Sequence, residues 1–530
     1  MTQHNGSARR PLAPRLARAL LRAGSLAVLL ACTVPSAQAQ VQSGGLMPAA
    51  LDCGGPVEDL VWRRWDGDPR RNGEGGARVF VEQQLIADRL LKQGDTYALY
   101  HFEIYFHNLL AMAQRCQRTD RQAELAHLVA STYAKLEPAP GDQPGRAWIC
   151  RGGPECTHTP RLRDKELMLN STQFMAFASS LANGISRENR KGARNDFVEQ
   201  TATIAREHLE RWNTPAAQDT LRKQIAARPE DVKNTSSALF LTDKELWQIS
   251  IYADLAGMLV ARPPLAQSAE LNAARLAAMK THLELLLQLV AARTTVQEIP
   301  APNDKSGKTI KVADLDAGFW RLYDTNRYAA YTGRDKPVVC KRDPVTQQVT
   351  AQTVIPADRF APVANISWDI SHARRLVHFF DAIERNRAAM VQVYGLDPAM
   401  LPSQDTMAAF VRQFSLHVWN RDRVRPLFTN YYSGTNGWYR VNYDNGTGSC
   451  AEGYPPYGIS DSFPTGGYAV WPSMHEQGVR LFDITQSLRL EDQAFVAAYY
   501  PNFARSRSAS SRMTDEMMFW PTLVRRGGKR

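Results

Sequence analysis

The chain has 530 residues, of which 44% are apolar and 22% charged, and 64 basic against 53 acidic residues give a formal net charge of +11. These proportions are ordinary for a folded soluble protein. They exclude a mostly disordered chain, a disulfide mini-protein and a polytopic membrane protein. A chain of this length can bury a large core, as one domain or as up to about three.

Residues 1–39 have the pattern of a secretory signal peptide. Five arginines precede an apolar run at 26–31, and the small-x-small sequence at 37–39 matches a signal-peptidase site. The apolar run is too short to span a bilayer, so we predict no transmembrane segment. We expect a periplasmic or secreted protein. A lipobox-like stretch at 29–32 leaves a lipoprotein attached through Cys32 as the alternative.

Beyond the signal, an even number of cysteines indicates disulfide bonds in an exported chain. These cysteines are Cys53, Cys116, Cys150, Cys156, Cys340 and Cys450. The turn-prone insert between Cys150 and Cys156 favours a short closed loop, and the other pairings stay open. There is no CxxC motif and no pair of histidines at ligand spacing, so we predict no metal and no cofactor.

Amphipathic helical patterns dominate the rest of the chain. Apolar residues recur at helical spacing in segments 79–92, 97–116, 121–136, 165–185, 196–212, 241–261, 269–293, 314–332, 368–395, 405–419 and 474–490. Strand patterns are scarce, and 338–340 and 349–354 are the best. No fixed-length repeat is present, which argues against a solenoid. An irregular bundle is possible, but we predict a mainly α fold over 40–502: helical hairpins closed into an incomplete (α/α) toroid with long aromatic loops.

The stretch 367–375 holds the first candidate site. Ser367 is a suitable N-cap, which would place Asp369 in the first helical turn. Asp369 and His372 are three residues apart and share a helix face. A carboxylate beside a histidine can fix its tautomer and raise its basicity, as general-base chemistry requires. The alternative is that Asp369 only caps the helix while His372 packs against Trp368.

Residues 428–471 interrupt the helical pattern and hold eight glycines and seven of the 18 tyrosines. A loop this long in a compact domain is uncommon and often functional, and aromatic side chains suit stacking on sugar rings. We predict Tyr439 and Tyr443 to be catalytic. The predicted substrate-binding residues are Arg440, Trp438, Asn436, Arg375, Tyr468, Trp471 and Asp461. The alternative is a loop that packs its own aromatic residues as a plug, fixed by Cys450.

An exported, nearly all-helical chain with helix pairs over 79–490, the Trp368-Asp369-x-Ser371-His372 motif and this aromatic loop resembles the (α/α)-toroid carbohydrate-active enzymes. That group includes polysaccharide lyases and many glycoside hydrolases. The resemblance implies a lyase that cleaves a uronate-containing polysaccharide by β-elimination. It implies that His372, oriented by Asp369, is the base or the carboxylate neutraliser. Tyr439 or Tyr443 would then be the acid or base, and Arg440 would hold the uronate.

Two other functions stay open at this point. An inverting glycoside hydrolase on the same scaffold would need two carboxylates, and Asp369, Asp444 and Asp461 are the candidates. A non-enzymatic exported protein would use the aromatic loop to dock a glycan or an envelope partner.

The net charge is distributed unevenly along the chain. The signal carries five arginines and no acid, and the tail 503–530 carries seven basic against two acidic residues, which leaves 52 basic and 51 acidic residues in 40–502. A nearly neutral body does not argue for an acidic partner, and we predict no nucleic-acid partner. We predict that the basic tail is flexible and contacts anionic surfaces.

Overall fold

Helices make up most of the computed structural model, which describes residues 48–188, 193–443 and 450–527. The α-helices of these residues are α1 (Pro56–Asp66), α2 (Ala77–Val79), α3 (Tyr97–Arg115), α4 (Thr119–Thr132), α5 (Pro154–His158), α6 (Met168–Ser186), α7 (Ala193–Trp212), α8 (Pro215–Ala226), α9 (Asp243–Ala261), α10 (Leu265–Ser268), α11 (Ala273–Arg293), α12 (Ile370–Ala373), α13 (Arg375–Tyr394), α14 (Gln404–Gln413), α15 (Ser462–Thr465), α16 (His475–Gln486), α17 (Leu490–Tyr499) and α18 (Ala509–Phe519). π-helical segments, Phe80–Lys92 and Phe414–Val418, continue α2 and α14. The predicted signal peptide lies outside the described residues.

Three antiparallel strand pairs accompany the helices. They are β1 (Leu136–Pro138) with β2 (Arg146–Trp148), β3 (Thr294–Pro300) with β4 (Thr309–Leu315), and β5 (Val338–Arg342) with β6 (Val349–Thr353). The strands predicted at 338–340 and 349–354 are confirmed. The helix predicted at 314–332 is wrong, because β4 pairs with β3 up to Leu315 and Gly318 then adopts a left-handed conformation (φ +82°) that interrupts any helix.

Four helices, α3, α6, α9 and α13, form an inner layer whose N-terminal ends lie together. Asn170 of α6 donates a hydrogen bond from Nδ2 to Oγ1 of Thr96, the residue that precedes α3 (3.4 Å). Arg375, the first residue of α13, forms an ion pair with Asp243, the first residue of α9 (Nη2 to Oδ2, 3.1 Å). The first turns of neighbouring inner helices therefore contact each other.

The opposite ends of the same helices are joined by a second polar cluster. Gln114 of α3 donates from Nε2 to the carbonyl of Ser180 in α6 (2.8 Å). Asn183 of α6 donates from Nδ2 to Asp254 of α9 (2.7 Å) and to Asn386 of α13 (2.9 Å). Because first turns meet first turns and later turns meet later turns, the four inner helices run in the same direction.

Further helices pack against the outer side of this inner layer. α4 packs against α3 and α6, α7 against α6 and α9, and α11 against α9 and α13. Successive long helices thus alternate between the inner and the outer layer. Inner helices α6 and α9 are buried nearly all round and are apolar over most of their surface. The prediction of a mainly α fold is confirmed.

Residues 503–527 fold onto this helical body, so the prediction of a flexible tail is wrong for them. α18 packs against α3, and the side chains of Phe519 and Leu523 are fully buried. Arg115 of α3 donates from Nη2 to the carbonyl of Pro521 (2.8 Å). Burial of these apolar residues holds the segment against the helical body. Two of its arginines form ion pairs with acidic residues of α18. The domain predicted for 40–502 therefore includes this segment, and contact of the basic residues with anionic surfaces stays a prediction.

Three disulfide bonds are present: Cys53–Cys116, Cys150–Cys156 and Cys340–Cys450. They confirm the predicted disulfide bonding and the short loop, and they resolve the pairings that the sequence left open. Disulfide bonds fit an oxidising compartment such as the periplasm or the extracellular space. In the described ranges, no helix combines the length and the apolar character needed to cross a bilayer.

The burial of the C-terminal segment predicts a large stability effect of Phe519→Ala. Because the ring is 0% exposed, its removal should lower the free energy of unfolding by about 3–5 kcal/mol. Leu490→Ala is the control, because that side chain is 85% exposed and its loss should change stability by less than about 0.5 kcal/mol. Urea unfolding measures both values, and equal values would contradict a packed C-terminal segment.

Candidate active site

Asp369 and His372 form a hydrogen-bonded pair at the start of α12, with 2.5 Å between Asp369 Oδ2 and His372 Nδ1. Asp369 is the N-cap, since its Oδ1 accepts the backbone N–H groups of Ser371 (3.0 Å) and His372 (3.2 Å). The Ser371 hydroxyl also donates to Oδ1. The expectation that Ser367 caps this helix is therefore wrong. Asp369 has the extended backbone of an N-cap, which places its carboxylate over the first turn.

The surroundings of the pair fix its protonation. Burial raises the pKa of Asp369, but His372, Arg440 and the Ser371 hydroxyl together hold that pKa well below its usual range. An ionised carboxylate can only accept hydrogen bonds. His372 therefore carries a hydrogen on Nδ1, and this N–H donates a hydrogen bond to Asp369. Burial lowers the pKa of His372 below the ordinary 6.5, and Asp369 offsets this only in part.

His372 is therefore neutral at neutral pH, and its Nε2 carries the lone pair. The side chain keeps 24% of its surface exposed. Across residues 48–188, 193–443 and 450–527, no group forms a hydrogen bond with this nitrogen. An accessible, unprotonated imidazole nitrogen whose opposite nitrogen is held by a carboxylate is the arrangement of a general base.

Backbone contacts place the aromatic loop, residues 428–471, beside this pair. The N–H of Ile370 donates to the carbonyl of Asn430 (3.1 Å). Asp369 and Tyr431 face each other in an isolated β-bridge. The loop is therefore attached by its backbone to the segment that carries the Asp369–His372 pair.

Arg440 brings a positive charge from this loop to the pair. Its guanidinium lies over the rings of Tyr439 (5.2 Å) and Tyr443 (5.0 Å). The side chain is 9% exposed, and its charge contributes to the lowered pKa of Asp369. The backbone of Arg440 has a left-handed conformation (φ +56°), which is uncommon for a residue other than glycine. Strained backbone of this kind is frequent at functional sites.

The two tyrosines predicted to be catalytic occupy different environments. Tyr439 is 3% exposed, and burial raises its pKa well above the ordinary value. Electrostatic interaction with Asp369 adds to this rise, so Tyr439 is a neutral side chain beside the carboxylate. Tyr443 is half-buried and is the member of the pair that a ligand can reach.

Sequence reasoning did not single out two further tyrosines, Tyr97 and Tyr323, that interact electrostatically with Tyr443. Burial is the largest cause of their raised pKa values, and Tyr443 adds to both. Tyr97 is the first residue of the inner helix α3, and its N–H donates to Asp95 (3.0 Å). The position of Tyr97 at the start of a predicted helix could have indicated its place near the site, because the starts of the inner helices lie together.

Three aromatic residues predicted to bind substrate have structural positions instead. Trp438 is 3% exposed and donates from Nε1 to the carbonyl of Gly333 (2.8 Å). Tyr468 is 0% exposed and donates its hydroxyl to the carbonyl of Ile370 (2.7 Å). Trp471 packs edge-on against Tyr468, with 5.2 Å between ring centroids. The side chains of these three residues are therefore part of the packed core.

Two polar residues predicted to bind substrate are also occupied by the fold. Asn436 accepts the N–H of Tyr457 (2.8 Å) and so shapes the aromatic loop. Arg375 is 1% exposed and pairs with Asp243 at the start of α9. We therefore assign Arg375 to the support of the site, where it joins two inner helices, rather than to its surface.

One acidic candidate for hydrolysis, Asp461, is the N-cap of α15, which contacts both α12 and α18. Burial raises the pKa of Asp461 well above its ordinary value, and the negative charge of Asp515 in α18 adds to that rise. Asp461 is therefore a buried, protonated group that interacts with the C-terminal segment. Asp444 lies outside the described residues.

Two stacked histidines, His107 of α3 and the half-buried His378 of α13, lie between inner helices. Glu103 and His107 of α3 are 3% and 6% exposed, with His107 Nδ1 2.7 Å from Glu103 Oε1. The ring of His107 stacks on that of His378 (3.6 Å), and burial lowers the pKa of His107 to about 3. These neutral rings form part of the core.

Candidate metal ligands are few in the described part of the chain. One group of three such residues has its ligand atoms within 4.8 Å of each other, namely Cys53, Cys116 and Glu58. The two sulfur atoms of that group are joined in a disulfide bond, so neither is a thiolate ligand.

Comparison with known proteins adds no assignment. The chain matches no protein-family profile, and neither the curated proteins nor the solved structures contain a significant match to it. Statements about its function therefore rest on its own residues and their geometry.

The contact between Asp369 and His372 predicts the direction of a titration change. In the intact protein His372 should titrate below pH 6.5, because burial lowers its pKa. Asp369→Asn removes the negative charge that favours the imidazolium, so the pKa of His372 should fall further. Asp397→Asn, the same change at a remote cap, is the control. NMR titration of the histidine ring gives both values, and an unchanged His372 pKa in Asp369→Asn would contradict the contact.

Proposed function

We propose that the protein is an exported polysaccharide lyase that cleaves a uronate-containing polysaccharide by β-elimination. The observation that carries this proposal is the placement of a neutral histidine and an arginine around one ionised carboxylate. His372 offers an unprotonated Nε2, and Arg440 supplies the positive charge beside it. No cofactor is part of the proposal.

The position of the pair in the fold favours an anionic substrate. His372 lies just before α13, and the first turns of α3, α6 and α9 lie at the same end of the inner layer. Each helix start carries roughly half a positive charge from its unpaired N–H groups. Together with Arg440, these helix starts attract a carboxylate-bearing sugar, and Tyr443 provides a ring for stacking.

The proposed reaction moves one proton in and one proton out. His372 Nε2 removes the proton from C5 of the uronate, while Arg440 stabilises the charge that develops on the neighbouring carboxylate. The C5 electron pair forms the C4–C5 double bond as the C4–O bond breaks. Tyr443 donates a proton to the departing oxygen. The products are one chain with an unsaturated terminal sugar and one with a free hydroxyl.

The hydrolase alternative receives less support from the described residues. Inverting hydrolysis needs a protonated carboxylic acid opposite a carboxylate. Asp369 is held ionised by its neighbours, and Asp461 lies beside α18. The non-enzymatic alternative differs in its outcome, because it predicts binding of a glycan without cleavage.

The toroid is part of the same proposal. The inner helices follow each other in the order α3, α6, α9 and α13. After α13 in this order, α15 contacts both α12 and α18, and α18 contacts α3. These contacts lead from the last inner helix back to the first. It supports an incomplete (α/α) toroid with the Asp369–His372 pair at one end of the inner layer. Export to the periplasm or the medium is supported by the three disulfide bonds.

The proposal predicts ultraviolet-absorbing products from uronate-containing polysaccharides. His372→Ala should lower kcat by about 10²–10⁴-fold, because it removes the base. His417→Ala is the matched control, since His417 is exposed on the π-helical end of α14, and it should leave kcat unchanged. Product absorbance and fragment size are measured together.

Three outcomes of this assay would contradict the proposal. Fragments without a new double bond would indicate hydrolysis, and binding without fragments would indicate the non-enzymatic function. Equal kcat values for the two histidine variants would remove His372 from the mechanism.

A further inference from the structure

An open cavity lies where the inner helix α13 meets the outer helix α11. Its volume is about 320 Å³, and the β3–β4 hairpin and the segment 399–410 complete its walls. Its buried floor is formed by apolar side chains, namely Leu287, Val290, Leu315, Leu376, Phe379, Phe380, Leu401 and Phe410. None of the residues that line it belongs to the candidate active site.

The polar groups of this cavity are few and uncharged. No lining residue carries a charge, and its side-chain polar atoms are the hydroxyls of Thr294, Ser403 and Thr406. These three residues are exposed or half-buried, so they lie at the mouth rather than on the floor. Ser403 is the N-cap of α14 and accepts the N–H of Thr406 (3.1 Å), which fixes the hydroxyl in place.

We propose that this cavity binds an uncharged aliphatic molecule with a hydroxyl or similar neutral head group. The chain would occupy the floor, and the head group would reach the hydroxyls at the mouth. A dry apolar cavity of about 150 Å³ already binds benzene, and ligand pockets begin at about 300 Å³. A space of 320 Å³ therefore holds a molecule about twice the size of benzene.

The lining excludes the other ligand classes. A carboxylate or phosphate on the floor would lose its hydration without gaining a cation, because no lining residue is charged. A sugar ring would leave most of its hydroxyls without partners against the apolar floor. The inference is therefore independent of the proposed lyase function, whose substrate is polar and anionic.

Calorimetric titration of the full chain with n-hexanol, n-octanol and n-decanol tests the chemistry of the ligand. Each added methylene that enters the cavity should tighten binding by about fourfold. Decanoate should bind at least about tenfold more weakly than decanol, because its charge finds no partner. Absence of saturable binding, or equal affinity for decanol and decanoate, would overturn the proposal.

Two neighbouring alanines on α11 provide a matched pair of variants for the location. Both are exposed, but Ala291 lines the cavity and Ala292 does not. Ala291→Trp should fill the mouth and abolish decanol binding. Ala292→Trp should bind decanol with the affinity of the unsubstituted protein. Circular dichroism checks that both variants are folded. Retained binding by Ala291→Trp, or equal loss in both variants, would overturn the assignment of this cavity.

Discussion

The carboxylate of Asp369 is the group on which the candidate site depends. The same two oxygen atoms cap α12, accept a hydrogen bond from His372 Nδ1 and accept the hydroxyl of Ser371. Each of these contacts is stronger when the carboxylate is ionised, and Arg440 adds to that preference. The fold of the segment and the protonation of the histidine therefore share one cause.

The inner helices make this arrangement possible at one of their ends. At the far end, Asn183, Asp254 and Asn386 satisfy each other in a closed network. At the near end, the Arg375–Asp243 pair joins α13 to α9 beneath the site, while His372 and Tyr443 keep part of their surface exposed. Because the inner helices are parallel, their positive N-termini all lie at the near end, where the site is.

Local patterns in the sequence predicted the features that depend on local contacts. Helical spacing predicted most of the long helices, and the three-residue separation predicted the Asp369–His372 pair. The sequence patterns failed where contacts between distant parts of the chain determine whether a residue is buried. The aromatic loop contains both core and site residues of the same types, so Trp438, Tyr468 and Trp471 were taken for binding residues although neighbours bury them. The C-terminal segment was judged by its arginines, whereas burial of Phe519 and its neighbours fixes it.

The central claim is that Asp369 holds His372 as a neutral base with its lone pair on Nε2. Nitrogen NMR of the histidine rings at pH 7 tests this claim most directly, because the two ring nitrogens of each tautomer have different shifts. We expect a neutral ring for His372, protonated at Nδ1 and unprotonated at Nε2. A cationic ring, or a neutral ring protonated at Nε2, would contradict it.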